Sequence, residues 1–163
     1  MISLIISEVK SFMAKLLVSD TFDHYLVREM ELQTFTNFHI SGQFNEEFYS
    51  KEEVEERGNC EYVKWGELRS IAFSMIKGNK TPLLLKIVFQ LPDERAVELA
   101  QKSELSHDNI GGLYINIRFE KNQLRIITGT AIKTFTMDKT FEREWDMEVK
   151  NYLKLNNIIF EEE

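Results

Sequence analysis

Cysteine, proline and glycine are scarce in this chain. Of its 163 residues, one is cysteine, two are proline and seven are glycine. The single Cys60 permits no disulfide within the chain, which suits a reducing compartment. No paired cysteines and no HExxH spacing are present to hold zinc. So few prolines and glycines are globular usage rather than disorder. Long apolar runs are missing as well: no stretch approaches the roughly 20 residues needed to cross a bilayer. The opening MISLIIS is apolar but short, and it lacks the basic start of a signal peptide. The expectation is a cytoplasmic protein with no membrane segment.

Catalytic signatures are equally sparse. There is no GxSxG elbow. Gly111-Gly112 precedes a predicted strand and lacks the spacing of a dinucleotide fingerprint. Lys77-Gly78-Asn79-Lys80-Thr81 superficially resembles a phosphate loop. Asn79 stands where the glycine before the lysine belongs, however, and the predicted order is helix–loop–strand, the reverse of a P-loop. A helix C-terminus explains the same residues. Asp20, Asp23 and His24 cluster beside a predicted strand, but caps and a strand-edge histidine account for them without a metal. Cys60 has no basic neighbour in sequence to activate it. No catalytic set, cofactor or metal is expected.

What is present is an ordinary globular composition, 43% hydrophobic and 29% charged, long enough for one domain with a core. The net charge is −7, unevenly spread. Residues 46–61 hold seven Glu against Lys51 and Arg57, a local −5, and the chain ends Glu161-Glu162-Glu163. The body is therefore near neutral with two acidic appendages, which argues against a nucleic-acid partner. The stretch at about 46–61 reads as an acidic surface excursion with a short solvated helix at 51–57.

Periodicity supplies the elements. Leu113, Ile115, Ile117 and Phe119 alternate with Tyr114, Asn116, Arg118 and Glu120, the period of a strand with one buried face. Lys121-Asn122 predicts a two-residue hairpin turn into 123–128, placing Arg118 opposite Arg125. Gly129 admits a turn or a bulge in one long strand, and ordinary strand lengths favour the turn. Asp138 predicts the N-cap of a helix to about Asn156, with Phe141, Trp145, Val149 and Leu153 on one stripe. Further helices are predicted at 8–18 (capped by Ser7), 65–76 and 94–102. Further strands are predicted at 2–6, 25–35 (with imperfect alternation), 38–44 and 83–91. Hairpin signals mixed with helices predict an α+β domain: a mainly antiparallel sheet packed against amphipathic helices.

One polar surface stands out. Like charges opposed across a hairpin destabilise it by up to roughly 1 kcal/mol. Either a bound anion offsets that cost at Arg118 and Arg125, with Tyr114 and Asn116 on the same face, or Glu120, Glu142 or another acid neutralises the pair, or the arginines splay into water.

The stretches FMAKLLVSDTFD (12–23), FSMIKGNKTPL (73–83) and ITGTAIKTFTMDKTFEREWD (127–146) resemble a family of small, uncharacterised bacterial proteins known as a domain of unknown function. The resemblance runs along most of the chain. It implies a compact bacterial protein and carries over no activity or catalytic residue.

The first functional reading is a non-enzymatic interaction module that binds a protein partner or a second copy of itself. The alternative is a binding protein for a small molecule or anion, an enzyme included, using Tyr114, Asn116, Arg118 and Arg125. A partner module should present an exposed apolar patch or a symmetric interface. A ligand binder should present a concavity where polar groups converge.

Overall fold

The computed structural model describes residues 1–76, 78, 80–103 and 107–163. The chain begins with β1 (Ser3–Ile6), α1 (Val9–Leu17), β2 (Leu26–Gln33) and β3 (Asn37–Ser41). It continues with α2 (Lys51–Arg57), α3 (Trp65–Ile76), β4 (Leu84–Gln90) and α4 (Asp93–Lys102). It ends with β5 (Ile110–Glu120), β6 (Gln123–Ile132), α5 (Thr140–Leu155) and β7 (Phe160–Glu162). The strands form one antiparallel sheet in the order β3-β2-β4-β5-β6-β1-β7, within a single α+β domain.

The alternation in β5 does what its period dictates. Leu113, Ile115, Ile117 and Phe119 are buried on one face, with Leu85, Ile87 and Phe89 of β4 and Leu124 and Ile126 of β6 beside them. Helix stripes complete this core through Phe12 and Leu16 of α1, Trp65 of α3, Leu99 of α4, and Phe141, Trp145, Val149 and Leu153 of α5. Both buried indoles find partners: Trp65 Nε1 donates to the Leu16 carbonyl at 2.7 Å and Trp145 Nε1 to the Tyr114 carbonyl at 3.2 Å. Burying each large apolar side chain contributes about 1.5–3 kcal/mol before entropy is counted. The opposite face of the sheet carries polar residues such as Glu29, Lys86, Asn116 and Arg118, while the buried helix residues named above all belong to the one core.

Several expected details differ. The Lys121-Asn122 turn forms with both φ angles positive, 52° and 60°, the backbone of a type I′ hairpin. Gly129 makes no turn: β6 runs straight through it to Ile132, and the register shift in this pair falls at Ile110/Gly112 instead. The long strand persists because β5, with 11 residues, pairs along its whole length. Helix α1 begins after Glu8, not Ser7, and no side chain caps it. Asp138 lies one residue before the cap position of α5, yet its carboxylate accepts from the Thr140 N–H at 2.9 Å. Helix α2 stands at 51–57 with a reciprocal Ser50/Glu53 capping box and no buried residue. Of the phosphate-loop-like stretch, Lys77 and Asn79 lie outside the described residues.

Candidate functional site

The β2 stretch Val27-Arg28-Glu29-Met30 explains its own imperfect alternation. Val27 pairs with Phe89 and Glu29 with Val88, so two consecutive β4 residues face a β2 segment with one residue extra. Arg28 is that extra residue of a β-bulge. Val27 and Met30 both enter the core, while Arg28 and Glu29 both turn to the uncovered face. Bulges re-aim side chains in this way.

Arg28 lines a concavity of about 480 Å³. Strand β4 supplies Val88 to it, β5 supplies Tyr114 and Asn116, and β6 supplies Gly129 and Thr130. The third wall comes from the acidic excursion. Beyond β3 the chain pairs with its own return: Gln43 bridges Tyr62, and Val63 N–H donates to the Gly42 carbonyl at 2.9 Å. That pairing delivers Ser41, Gln43 and Tyr62 to the rim. Gly42 is required here, because a Cβ would lie 1.7 Å from the Val27 carbonyl oxygen.

The guanidinium is held on three sides. Its Nη1 donates to Gln90 Oε1 at 3.0 Å, and Gln90 is only 8% exposed. The Tyr62 ring lies 4.2 Å and the Tyr114 ring 5.7 Å from its central carbon. Such cation–π contacts contribute about 0.5–1 kcal/mol each at exposed sites. Gly112 makes the Tyr114 position accessible, since a Cβ there would sit 2.4 Å from the Tyr114 hydroxyl. Gly129, directly opposite Tyr114 in the ladder, leaves the floor bare.

Of the four residues singled out from sequence, the structure brings Tyr114 and Asn116 into this cup and leaves Arg118 and Arg125 outside it. Arg118 and Arg125 do face each other across the hairpin. Each has its own acid: Arg118 Nη2 lies 3.1 Å from Glu120, and Arg125 Nη2 lies 2.9 Å from Glu163. The Ser3 hydroxyl, with Arg125 adding to it, holds the Glu163 carboxyl below its ordinary range. Lys86, beside Arg118 in the ladder, pairs with Glu29 at 3.1 Å. Arg28 differs: among the described residues no carboxylate lies within ion-pair distance of it.

Sequence reasoning missed Arg28 and Tyr62. The signal for Arg28 was two polar residues between two apolar ones in a strand otherwise of period two. Tyr62 carried no such signal, because only the fold-back of the excursion brings it over β2.

Two of the other hollows among the described residues are of comparable or larger size. A cleft of about 720 Å³ shares Tyr62 with the Arg28 concavity and is lined by Gln90 as well. Its bases are largely spoken for. Burial, with Arg95 adding to it, pushes the His24 pKa down, and Arg57 makes two 2.5 Å contacts to Glu67. A more apolar groove of about 470 Å³ separates α1 from the β5–β6 turn. In the acidic cluster near His24, Asp23 accepts from Arg69 Nε and Nη2 at 2.8 and 3.0 Å. Among the described residues no three side chains are grouped to hold a metal, and no helix is long and apolar enough to cross a membrane.

The family model described as a family of unknown function (DUF5721) matches residues 15–161, nearly the whole chain. The chain belongs to that family. No curated protein and no solved structure matches it.

Proposed function

We propose that this family member is a non-enzymatic binding protein of the bacterial cytoplasm whose ligand, a small polar molecule, sits in the Arg28 cup. One observation carries the reading: a concavity in which polar groups converge on a fixed cation with no acid of its own. Its volume lies within the roughly 300–1,000 Å³ of small-molecule sites. Binding rather than catalysis is supported by the lining, where no histidine, cysteine or lysine stands among the described residues. The one carboxylate there, Glu29, is engaged by Lys86. Tyr114 serves in this reading as a wall and the Asn116 oxygen as an acceptor. Arg118 and Arg125 serve as the neutralised flank.

Native mass spectrometry of protein purified without phosphate or sulfate tests the proposal. The expected result is a small mass excess that disappears in Gly129→Ala, which fills the floor. Contrary evidence would be an unadorned mass together with a diverse fragment library that moves no amide resonance of Tyr114, Asn116, Gly129 or Thr130.

A second reading, self-association, is favoured by the contrast between the sheet's two edges. Strand β7 is short and acidic, which discourages pairing. Strand β3 reads Asn-Phe-His-Ile-Ser with no formal charge, and Phe35 beside it is 90% exposed. Gly42 N–H donates inward to the Arg28 carbonyl, so by antiparallel alternation Asn37, His39 and Ser41 direct their backbone groups outward. A second copy would pair about His39, setting Phe38 against Ile40. Sedimentation should then show a dimer that His39→Lys dissociates; a wild-type monomer at high concentration removes this reading.

A further inference from the structure

The charge and shape of the cup restrict what it can hold. Arg28 and Glu29 are the charged side chains that line it. Glu29 is neutralised by Lys86 at 3.1 Å, so the cup carries one uncompensated positive charge. A monoanion balances it. A dianion such as phosphate would bring a second negative charge to a rim that already holds Glu29. Among the described residues no helix N-terminus lines the cup, so the backbone N–H cluster that usually receives phosphate is not supplied by a helix.

The guanidinium also presents a specific fork. Gln90 fixes one Nη1 donor, and the two tyrosine rings hold the plane. Nε and Nη2 have no hydrogen-bond partner among the described residues. Two parallel N–H donors match the two oxygens of a carboxylate. Away from the fork, the rings and Val88 offer apolar surface, and Gly129 leaves room beside them for lack of a side chain. Asn116 donates its amide to the Ile127 carbonyl at 3.2 Å, which leaves its oxygen as an acceptor at the edge.

We infer that the cup binds a small monocarboxylate with a compact apolar body, its carboxylate on the Arg28 fork and its body against Tyr62, Tyr114 and Gly129. This inference rests on the ligand-binding reading above and names the class of ligand.

The test is an amide-resonance titration of the full chain at pH 7 and fixed ionic strength. The probes are benzoate, its neutral counterpart benzamide, and inorganic phosphate. Benzoate is expected to shift Tyr114, Asn116, Gly129 and Thr130, with benzamide at least about tenfold weaker and phosphate without effect at the cup. Arg28→Gln should weaken benzoate by about tenfold or more. Gly129→Ala should do the same while leaving the fold intact, because its new Cβ would meet nothing nearer than 3.7 Å. Benzamide binding as well as benzoate, or phosphate displacing benzoate from the cup, would overturn the carboxylate class while leaving a ligand site there. A cup silent to these probes and to a broad fragment set would overturn both the class and the binding reading.

Discussion

The uncovered face of the sheet has two ends built from the same kinds of residue with opposite outcomes. At one end Lys86, Arg118 and Arg125 form a cationic row across β4, β5 and β6, and each meets its own carboxylate in Glu29, Glu120 and Glu163. At the other end Arg28 meets two aromatic rings and a neutral amide. A guanidinium satisfied by an exposed carboxylate gains little stability and has no charge left to offer. One held by rings and an amide is equally well fixed and keeps its charge. Ordering without neutralising is what distinguishes a binding cation from a structural one on this surface.

Removing the two cations should separate their roles most clearly. Arg28→Ala strands the buried Gln90 amide and takes the cation from both rings, a loss of about 1–3 kcal/mol. Ligand binding should vanish with it. Arg118→Ala removes an exposed pair and should change stability by no more than roughly 0.5 kcal/mol. Urea denaturation of the two variants side by side checks this. Equal losses would erase the distinction between the two ends.

Gly129→Ala isolates shape from charge. Within a strand, alanine is better than glycine by roughly 0.5–1 kcal/mol, so the variant should melt at or slightly above the wild-type temperature while its ligand affinity falls. Lower stability with intact binding would place the ligand elsewhere.

The wall that carries Tyr62 depends on a contact outside the cup, and acid should reveal it. Hydrogen bonds from Arg57 hold the Glu67 carboxyl below its ordinary value of 4.5. A folded-state pKa below the unfolded one contributes stability that is fully present above the unfolded value and fades as pH falls through the folded one. Because the pair is partly exposed, the contribution should not exceed about 1 kcal/mol. Melting curves between pH 3 and about 7 should show wild type losing this increment towards the acid end, and Glu67→Gln should lack that part of the slope. Identical slopes would show that the pair does not anchor the excursion.

The smallest effect is the most pointed. Glu120→Gln with Glu163→Gln should free Arg118 and Arg125 without a resolvable change in melting temperature. Weak benzoate shifts should then appear around the hairpin. If the freed arginines attract nothing, neutralisation is not what silences that end.

How much of this was readable in the sequence follows from how local each signal is. The Lys121-Asn122 turn, the alternation of 113–119, the stripe of α5 and the short helix at 51–57 are set by residues a few positions apart, and all of them form. Strand order was not readable, because β2 joins β4 across the excursion and β1 joins β6 across more than 120 residues. Half of the site followed the same rule. Tyr114 and Asn116 were visible through the period of β5. Arg28 was hidden by a bulge that is defined only against β4, and Tyr62 by a fold-back. The acid at Arg125 is Glu163, 38 residues away in sequence, so no local rule could show that this arginine is neutralised. Gly129 was read as a turn because its strand is long, whereas its value lies in the side chain it lacks opposite Tyr114.

The measurement that most directly tests the account is a crystal structure of the protein purified without phosphate or sulfate and soaked with benzoate. A carboxylate is expected on the Arg28 fork, between Tyr62 and Tyr114, with Glu120 and Glu163 still on their arginines. Benzoate on Arg118 and Arg125 with those glutamates displaced, and an Arg28 cup holding only water, would contradict it.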